Sequence, residues 1–149
     1  MALLTDEHRA AIGTEISRET IQVTRRDIQK YSSATEQQQQ KFIDGHEAPP
    51  MFYYNLFTPI PALADLPADG LPPRGGPELP LKRTMAGGVQ IKQHRPIQAG
   101  DELVGVRRIT DIYEKTGKSG PLIFIVRELA VHTTNGDPVM HEIQTSIAR

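Results

Sequence analysis

An α+β domain, with one antiparallel sheet packed against a single apolar helix, is the fold class this sequence predicts, and three observations carry the prediction. From Val89 onward the apolar residues recur with a period of two over successive stretches. Those stretches are joined by turn chemistry at Gln98-Ala99-Gly100-Asp101, at Thr116-Gly117-Lys118-Ser119-Gly120 and at Asn135-Gly136. The last is a strong hairpin signal because both of its residues tolerate positive φ. Upstream, Pro49-Pro50 leads into Met51-Phe52-Tyr53-Tyr54-Asn55-Leu56-Phe57, which is apolar nearly all round and predicts a buried helix.

The elements follow in order. Thr5 before Asp6 and Glu7 marks a helix start, kept short by Gly13 and by the sparse apolar spacing of Ile12 and Ile16. Thr20 to Thr24 predicts a first strand with Ile21 and Val23 on one face. Thr24-Arg25-Arg26-Asp27 has the spacing of a capping box, with Asp in place of Glu or Gln, and Ile28, Tyr31 and Ala34 continue it at helical intervals. The four amides Gln37 to Gln40 predict a solvated helix end or loop without chemistry.

Between residues 59 and 80, prolines and glycines (Pro59, Pro61, Pro67, Gly70, Pro72, Pro73, Gly75, Gly76, Pro77, Pro80) exclude a regular element and predict a long loop. Loops beyond about 12 to 15 residues are uncommon in compact domains and tend to be functional or disordered, so a lid or partner-facing arm and a disordered insertion both stand. Strands are then expected over 89–93, 103–112, 121–130 and 139–147, with an antiparallel meander as the simplest topology. Leu122-Ile123-Phe124-Ile125-Val126 is apolar without alternation. It predicts a strand covered on both faces, by the helix on one and by something else on the other, for which a second subunit is a candidate.

At 149 residues and 38% hydrophobic content, one domain spanning 1–149 is expected. The formal net charge of -1 supplies no basic excess for a nucleic-acid backbone and no polybasic run for a membrane surface. With no cysteine, disulfides, thiolate catalysis and Cys-ligated metal are excluded. The first residues lack a basic stretch followed by a long apolar core, and no apolar run reaches the ~18 residues of a membrane span. A soluble cytoplasmic protein is the expectation.

The most specific words of the chain are Met85-Ala86-Gly87-Gly88, His94-Arg95-Pro96-Ile97, Gly100-Asp101 and Lys118-Ser119-Gly120-Pro121-Leu122-Ile123-Phe124. These resemble the FAS1-like group of MaoC-type dehydratases, and within it the N-terminal half of the methylfumaryl-CoA and mesaconyl-CoA hydratases. The resemblance implies a hot-dog fold, in which an antiparallel sheet wraps one central helix and two such units pair into a double hot dog. It also implies hydration or dehydration of a CoA-linked enoyl or hydroxyacyl group, with the CoA thioester as substrate and with no metal or redox cofactor.

The catalytic pattern of the MaoC-type hydratases is a segment ending in Gly-Asp-x-Asn-Pro-x-His, whose Asp and His flank the reacting water. The stretch of this chain that resembles it runs from Tyr31 through Phe42, and there Gln37 stands in place of the Asp and Phe42 in place of the His. Neither exchanges a proton near neutral pH. The resemblance therefore implies a half without the catalytic pair, completed by a second hot-dog subunit that carries it; a chain ending at Arg149 is expected to hold no such second half.

His46 and Glu47 are the nearest imidazole–carboxylate neighbours and the candidate substitutes, though adjacent residues in a turn usually point apart. Tyr53, Tyr54 and Phe57 are candidates for lining an acyl tunnel, and plain core is the competing reading. Arg83, Arg95, Arg107 and Arg108 are candidates for CoA phosphates, against a solvated strand face. His94 reads as part of a turn, and His132 and His141 as a cross-strand surface pair. The expectation is a non-catalytic subunit of a hetero-oligomeric enoyl-CoA hydratase. A homodimeric hydratase with a substitute acid and base, and an acyl-CoA-binding protein without turnover, are the alternatives.

Overall fold

The computed structural model describes residues 2–149. Helix α1 (Asp6–Ala10) is short, as Gly13 predicts, and Thr5 caps it. The side chain at its third position is His8 rather than a carboxylate: His8 Nδ1 accepts from the Thr5 backbone N–H at 2.9 Å, so Nε2 carries the proton that it donates to the Glu78 carbonyl at 2.9 Å. One imidazole thus ties the N-terminal helix to the distant Pro/Gly-rich segment.

Strand β1 (Glu15–Gln22) begins five residues before the predicted start at Thr20. Its charged residues Glu15, Arg18 and Glu19 hide the alternation, and pairing with β3 (Glu102–Gly117) decides its extent. Thr24 leaves the strand in extended conformation to cap α2 (Arg25–Ala34), accepting from the Asp27 N–H at 3.1 Å. Ile28 and Ser32 are buried and Tyr31 half-buried, whereas Ala34 is exposed because it lies off the helical stripe that these three residues share. Gln40 opens the single turn α3 (Gln40–Ile43).

The central helix α4 (Phe52–Phe57) is shorter than the predicted run and is not buried all round. Phe52, Tyr53 and Phe57 point into the sheet, while Met51 and Tyr54 stay about half exposed at 46% and 48%. After it, the Pro/Gly-rich segment contains one 3-10 turn (Leu63–Asp65) and then lies back over the sheet as a strap. Gly75 fits there at φ +70 beneath Ile16, where an added Cβ would meet the Ile16 methyl at 2.2 Å.

The remaining strands are β2 (Thr84–Gln93), β4 (Gly120–Thr133) and β5 (Pro138–Ala148), and all five form one antiparallel sheet in the order β1-β3-β4-β5-β2. The sequence reading of a simple meander is corrected here. Only β3-β4-β5 run as a meander; β2 pairs with β5 at the far edge, and the segment from His94 to Asp101 crosses back to β3. That crossing is held by Ala48 N–H to the Ile97 carbonyl at 2.8 Å and Gly100 N–H to the Val23 carbonyl at 2.8 Å. In the β4–β5 turn only Gly136 takes positive φ, so Asn135-Gly136 is part of a longer loop rather than a two-residue hairpin.

The apolar strand from Leu122 to Val126 divides between the two faces of the sheet. Pairing in the sheet sends alternate residues to opposite faces. Ile123, Ile125, Leu129 and Val131 are buried on the concave side; Leu122, Phe124 and Val126 are half-buried on the convex side. Phe124 stacks on its cross-strand neighbour Tyr113 with centroids 4.8 Å apart, and Lys115 lies over both rings. The concave side is covered within the chain, whereas the convex residues are shielded only in part, by their neighbours in the sheet.

Two apolar clusters fill the concave face. One lies under α2 and α4 and gathers Val23, Ile28, Phe52, Phe57, Ile97, Leu103, Leu129, Val131 and Met140. The other gathers Leu4, Ile109, Ile112, Ile123, Ile125 and Ala148, and is closed by Leu3 and Ala11 from the N-terminal segment, Ile16 from the start of β1, and Leu79 and Leu81 from the strap. The Leu4 N–H donates to the Glu114 carboxylate to fix that cover.

Candidate functional site

Between the two clusters the concave face turns polar. Cross-strand register places Arg107 opposite Leu129, Arg127 between Ile109 and Gln144, and Ser146 opposite Ile125, so the band interrupts an otherwise apolar surface. The six-residue helix stops at this band: the Arg107 guanidinium donates to the Phe57 carbonyl at 3.1 Å, satisfying one of the last carbonyls of α4.

Two cavities open on the band and share the strap residues Leu71 to Gly75. The smaller, about 320 Å³, is bordered by Tyr54, Phe57, Ile16, Arg74, Arg107 and Gln144. The larger, about 620 Å³, is bordered by Arg74, Arg127, Ser146, Leu79, Met85 and Ile125 among others. Both lie within or near the size range of small-molecule sites, and both mix apolar walls with a few polar groups.

Arg127 is 8% exposed, and its charge is held in place by Nη2 donating to the Gly75 carbonyl at 3.0 Å and Nη1 reaching Ser146 Oγ at 3.4 Å. Its Nε is buried without a partner. Burial, and then the neighbouring Arg74 and Arg107 charges, pull its pKa down to about 10, so it remains a cation at neutral pH. Arg74 reaches the same Ser146 Oγ at 3.2 Å.

The residues singled out from sequence fall in different places. Tyr54 and Phe57 border the smaller cavity. Tyr53 does not: it is 1% exposed and donates to the buried Glu142 carboxylate of β5, and this burial, with the Glu142 hydrogen bond, raises its pKa well above the phenol range. The helix turn that aims Tyr54 outward aims Tyr53 into the sheet. Arg95 is committed to Asp101 through a two-pronged ion pair at 2.8 and 3.1 Å, which fixes the crossing segment and leaves no free fork for a phosphate. Arg108 pairs with Glu15 at 3.1 Å, and Arg83 is exposed ahead of β2, bordering neither cavity.

Gln37 is half-buried and Phe42 is 6% exposed within the packing of α2 and α3. His46 is exposed, while Glu47 pairs with Lys41 at 2.7 Å, so the two do not form an acid–base pair and neither borders a cavity. His94 lies in the crossing segment. His132 and His141 are not cross-strand partners: His132 bonds the Thr133 carbonyl and His141 the Glu128 carboxylate at 2.5 Å. Sequence reasoning missed Arg74, Arg127 and Ser146. The signal for Arg127 was there, since it shares the inward parity of Ile123, Ile125, Leu129 and Val131.

Known proteins share this fold. In the solved C-terminally truncated HadBC (3R-hydroxyacyl-ACP dehydratase) complex from Mycobacterium tuberculosis, one chain aligns with a TM-score of 0.63 at 16% identity, covering 93% of this chain and 97% of that one. The ChsH1-ChsH2 complex from the same organism aligns with a TM-score of 0.63 at 13% identity, covering 96% and 91%. These likenesses establish the hot-dog fold. In sequence, the mesaconyl-C(4)-CoA hydratase of Chloroflexus aurantiacus is 37% identical over 79 residues, which are 52% of this chain and only 28% of that protein. The family description "FAS1-like, dehydratase domain region" matches residues 10–142. The chain belongs to the FAS1-like dehydratase domain family.

Proposed function

We propose that this chain is the non-catalytic hot-dog half of a MaoC-type enoyl-CoA hydratase or 3-hydroxyacyl-CoA dehydratase, shaping the acyl pocket for a partner that carries the Asp and His. One observation carries the reading: among the described residues no histidine borders either cavity; the resemblance of the Tyr31–Phe42 stretch to the catalytic segment, with Gln37 and Phe42 in place of the Asp and His, supports it. Hydration needs one group to take a proton from water and another to deliver one to carbon, and each contributes about 10²- to 10⁴-fold. The pocket has walls and cations instead.

The partner's place is supported by the sheet edges. Every residue of β2 is exposed, including Met85, Val89 and Ile91 at 44%, 51% and 41%, so a ten-residue edge with apolar side chains lies open to pairing. The opposite edge, β1, carries the Glu15–Arg18 ion pair. Two solved structures of this fold are complexes by name, HadBC and ChsH1-ChsH2, which favours a second hot-dog subunit over a solitary one. The name of the sequence relative, a mesaconyl-C(4)-CoA hydratase, supports a CoA thioester as substrate.

The test is an assay of the purified chain on crotonyl-CoA and mesaconyl-CoA, alone and with a hot-dog subunit that retains the Asp and His. The expected result is no turnover alone and activity in the complex, with His46→Ala changing it less than about tenfold. Rapid turnover by the chain alone, lost in His46→Ala or Glu47→Gln, overturns the proposal in favour of a homodimeric enzyme.

A further inference from the structure

Among the described residues, Arg127 is a buried cation with no counter-ion. No carboxylate of the described residues lies within ion-pair distance of Arg127, Arg74 or Arg107; the carboxylates that do pair bind other cations. At the cavity rim Glu78 is engaged by Lys82, and Asp69 accepts from the Leu71 N–H at 3.0 Å. A buried, unpaired guanidinium is strongly destabilising in an ordinary core, and a buried donor without a partner is rare. Its two existing hydrogen bonds go to a backbone carbonyl and a hydroxyl, both neutral.

We infer that Arg127, with Arg74 and the Ser146 hydroxyl, forms an oxyanion-binding site at the inner wall of the larger cavity, taking a carboxylate or phosphate of the ligand that fills it. The guanidinium fork suits either oxyanion. The apolar remainder of the wall, Leu79, Met85 and Ile125, suits a carbon chain leading to it. Because Nε is shut off by the surrounding atoms, full engagement requires the strap at Gly75 to shift, exchanging the Gly75 carbonyl for the anion. The inference rests on the acyl-thioester reading only for the molecule that carries the oxyanion.

The experiment measures binding of succinyl-CoA, butyryl-CoA and butyryl-pantetheine by calorimetry to the full chain, to Arg127→Met and to Arg74→Gln, alongside melting temperatures with succinate or inorganic phosphate. If the oxyanion is an acyl carboxylate, succinyl-CoA binds about tenfold or more tighter than butyryl-CoA, and the preference disappears in Arg127→Met. If it is a CoA phosphate, both CoA thioesters weaken about tenfold or more in Arg127→Met while butyryl-pantetheine does not. Succinate or phosphate raising the melting temperature of the wild type and not of Arg127→Met supports the site even where no thioester binds, a result that sinks the acyl-thioester reading alone.

Without anions, Arg127→Met is expected to melt at or above the wild-type temperature, since an uncompensated buried charge is removed. A lower melting temperature together with unchanged ligand preference makes Arg127 a structural anchor of the strap and overturns the inference. Should that variant fail to fold, Arg74→Gln lies on an exposed residue and decides the matter: unaltered affinity for every anion and thioester likewise overturns it.

Discussion

The two ends of the concave face are closed by different means. Under α4 the cover is regular structure: Phe52 and Phe57 pack onto Leu103, Leu129 and Val131, with the Phe57 ring so close to Gly105 that an added Cβ would stand 2.3 Å from it. At the other end Ile109, Ile123 and Ile125 are equally buried, yet what covers them is the N-terminal segment and the strap, which have little regular structure. A sheet face thus demands apolar cover without specifying its kind. The short helix leaves the middle of the face to Arg107, Arg127, Gln144 and Ser146, and that gap is where the cavities form.

The comparison can be broken most severely at either buried end. Ile123→Asp puts an unpaired carboxylate into a site with 0% exposure, and Phe52→Ala empties the helix end. The first is expected to abolish the folded state, and the second to cost about 3 to 5 kcal/mol in urea unfolding followed by circular dichroism. Ile91→Asp on the open β2 edge serves as the contrast. It should leave monomer stability within about 0.5 kcal/mol and weaken assembly with a partner in sedimentation. Equal stability losses for Ile123→Asp and Ile91→Asp would mean that the edge is core in solution.

A smaller effect separates close packing from composition. Gly105→Ala is expected to cost about 1 to 3 kcal/mol by driving the Phe57 ring from its seat, although alanine is no less suited to a strand than glycine. A neutral Gly105→Ala would show that α4 slides freely on β3. Tyr53→Phe removes the donor to Glu142 and should cost about 1 to 3 kcal/mol, since the carboxylate remains buried. Complete loss of folding in this variant would mark the pair as the pin of the helix rather than a polar detail within it.

The mildest change sharpens the contrast in dynamics. Gly75→Ala sets a methyl against Ile16 at positive φ, so the strap should lift locally while the helix end keeps its protection. Hydrogen exchange is expected to rise at Leu79 and Leu81 and in the α1 region, and to stay unchanged at Phe52 to Phe57. A uniform rise across both ends would show that the strap and the helix open as one unit.

Much of this architecture was legible in residues. The period-two stretches located β3, β4 and β5, Thr24 marked the start of α2, and the words from Met85 to Phe124 resembled the family that the matched residues 10–142 establish. The illegible parts share a cause. Which strand β2 joins depends on edge pairing between residues far apart in sequence, from Gln93 opposite Met140 to Thr84 opposite Ala148, and no local pattern encodes it.

The site divides along the same line. Sequence by itself determined that the stretch from Tyr31 to Phe42 holds no Asp and no His and that aromatic residues lead the central helix, because those are statements about residue identity. Only the tertiary structure decided that Tyr53 turns to Glu142 while Tyr54 faces the cavity, that Arg95 is consumed by Asp101, and that Arg74 meets Arg127 over Ser146. Charges find their partners in space, over separations such as the 72 residues between Arg74 and Ser146. The strap that brings them together is built from prolines and glycines whose sequence predicts irregularity but not the path it takes.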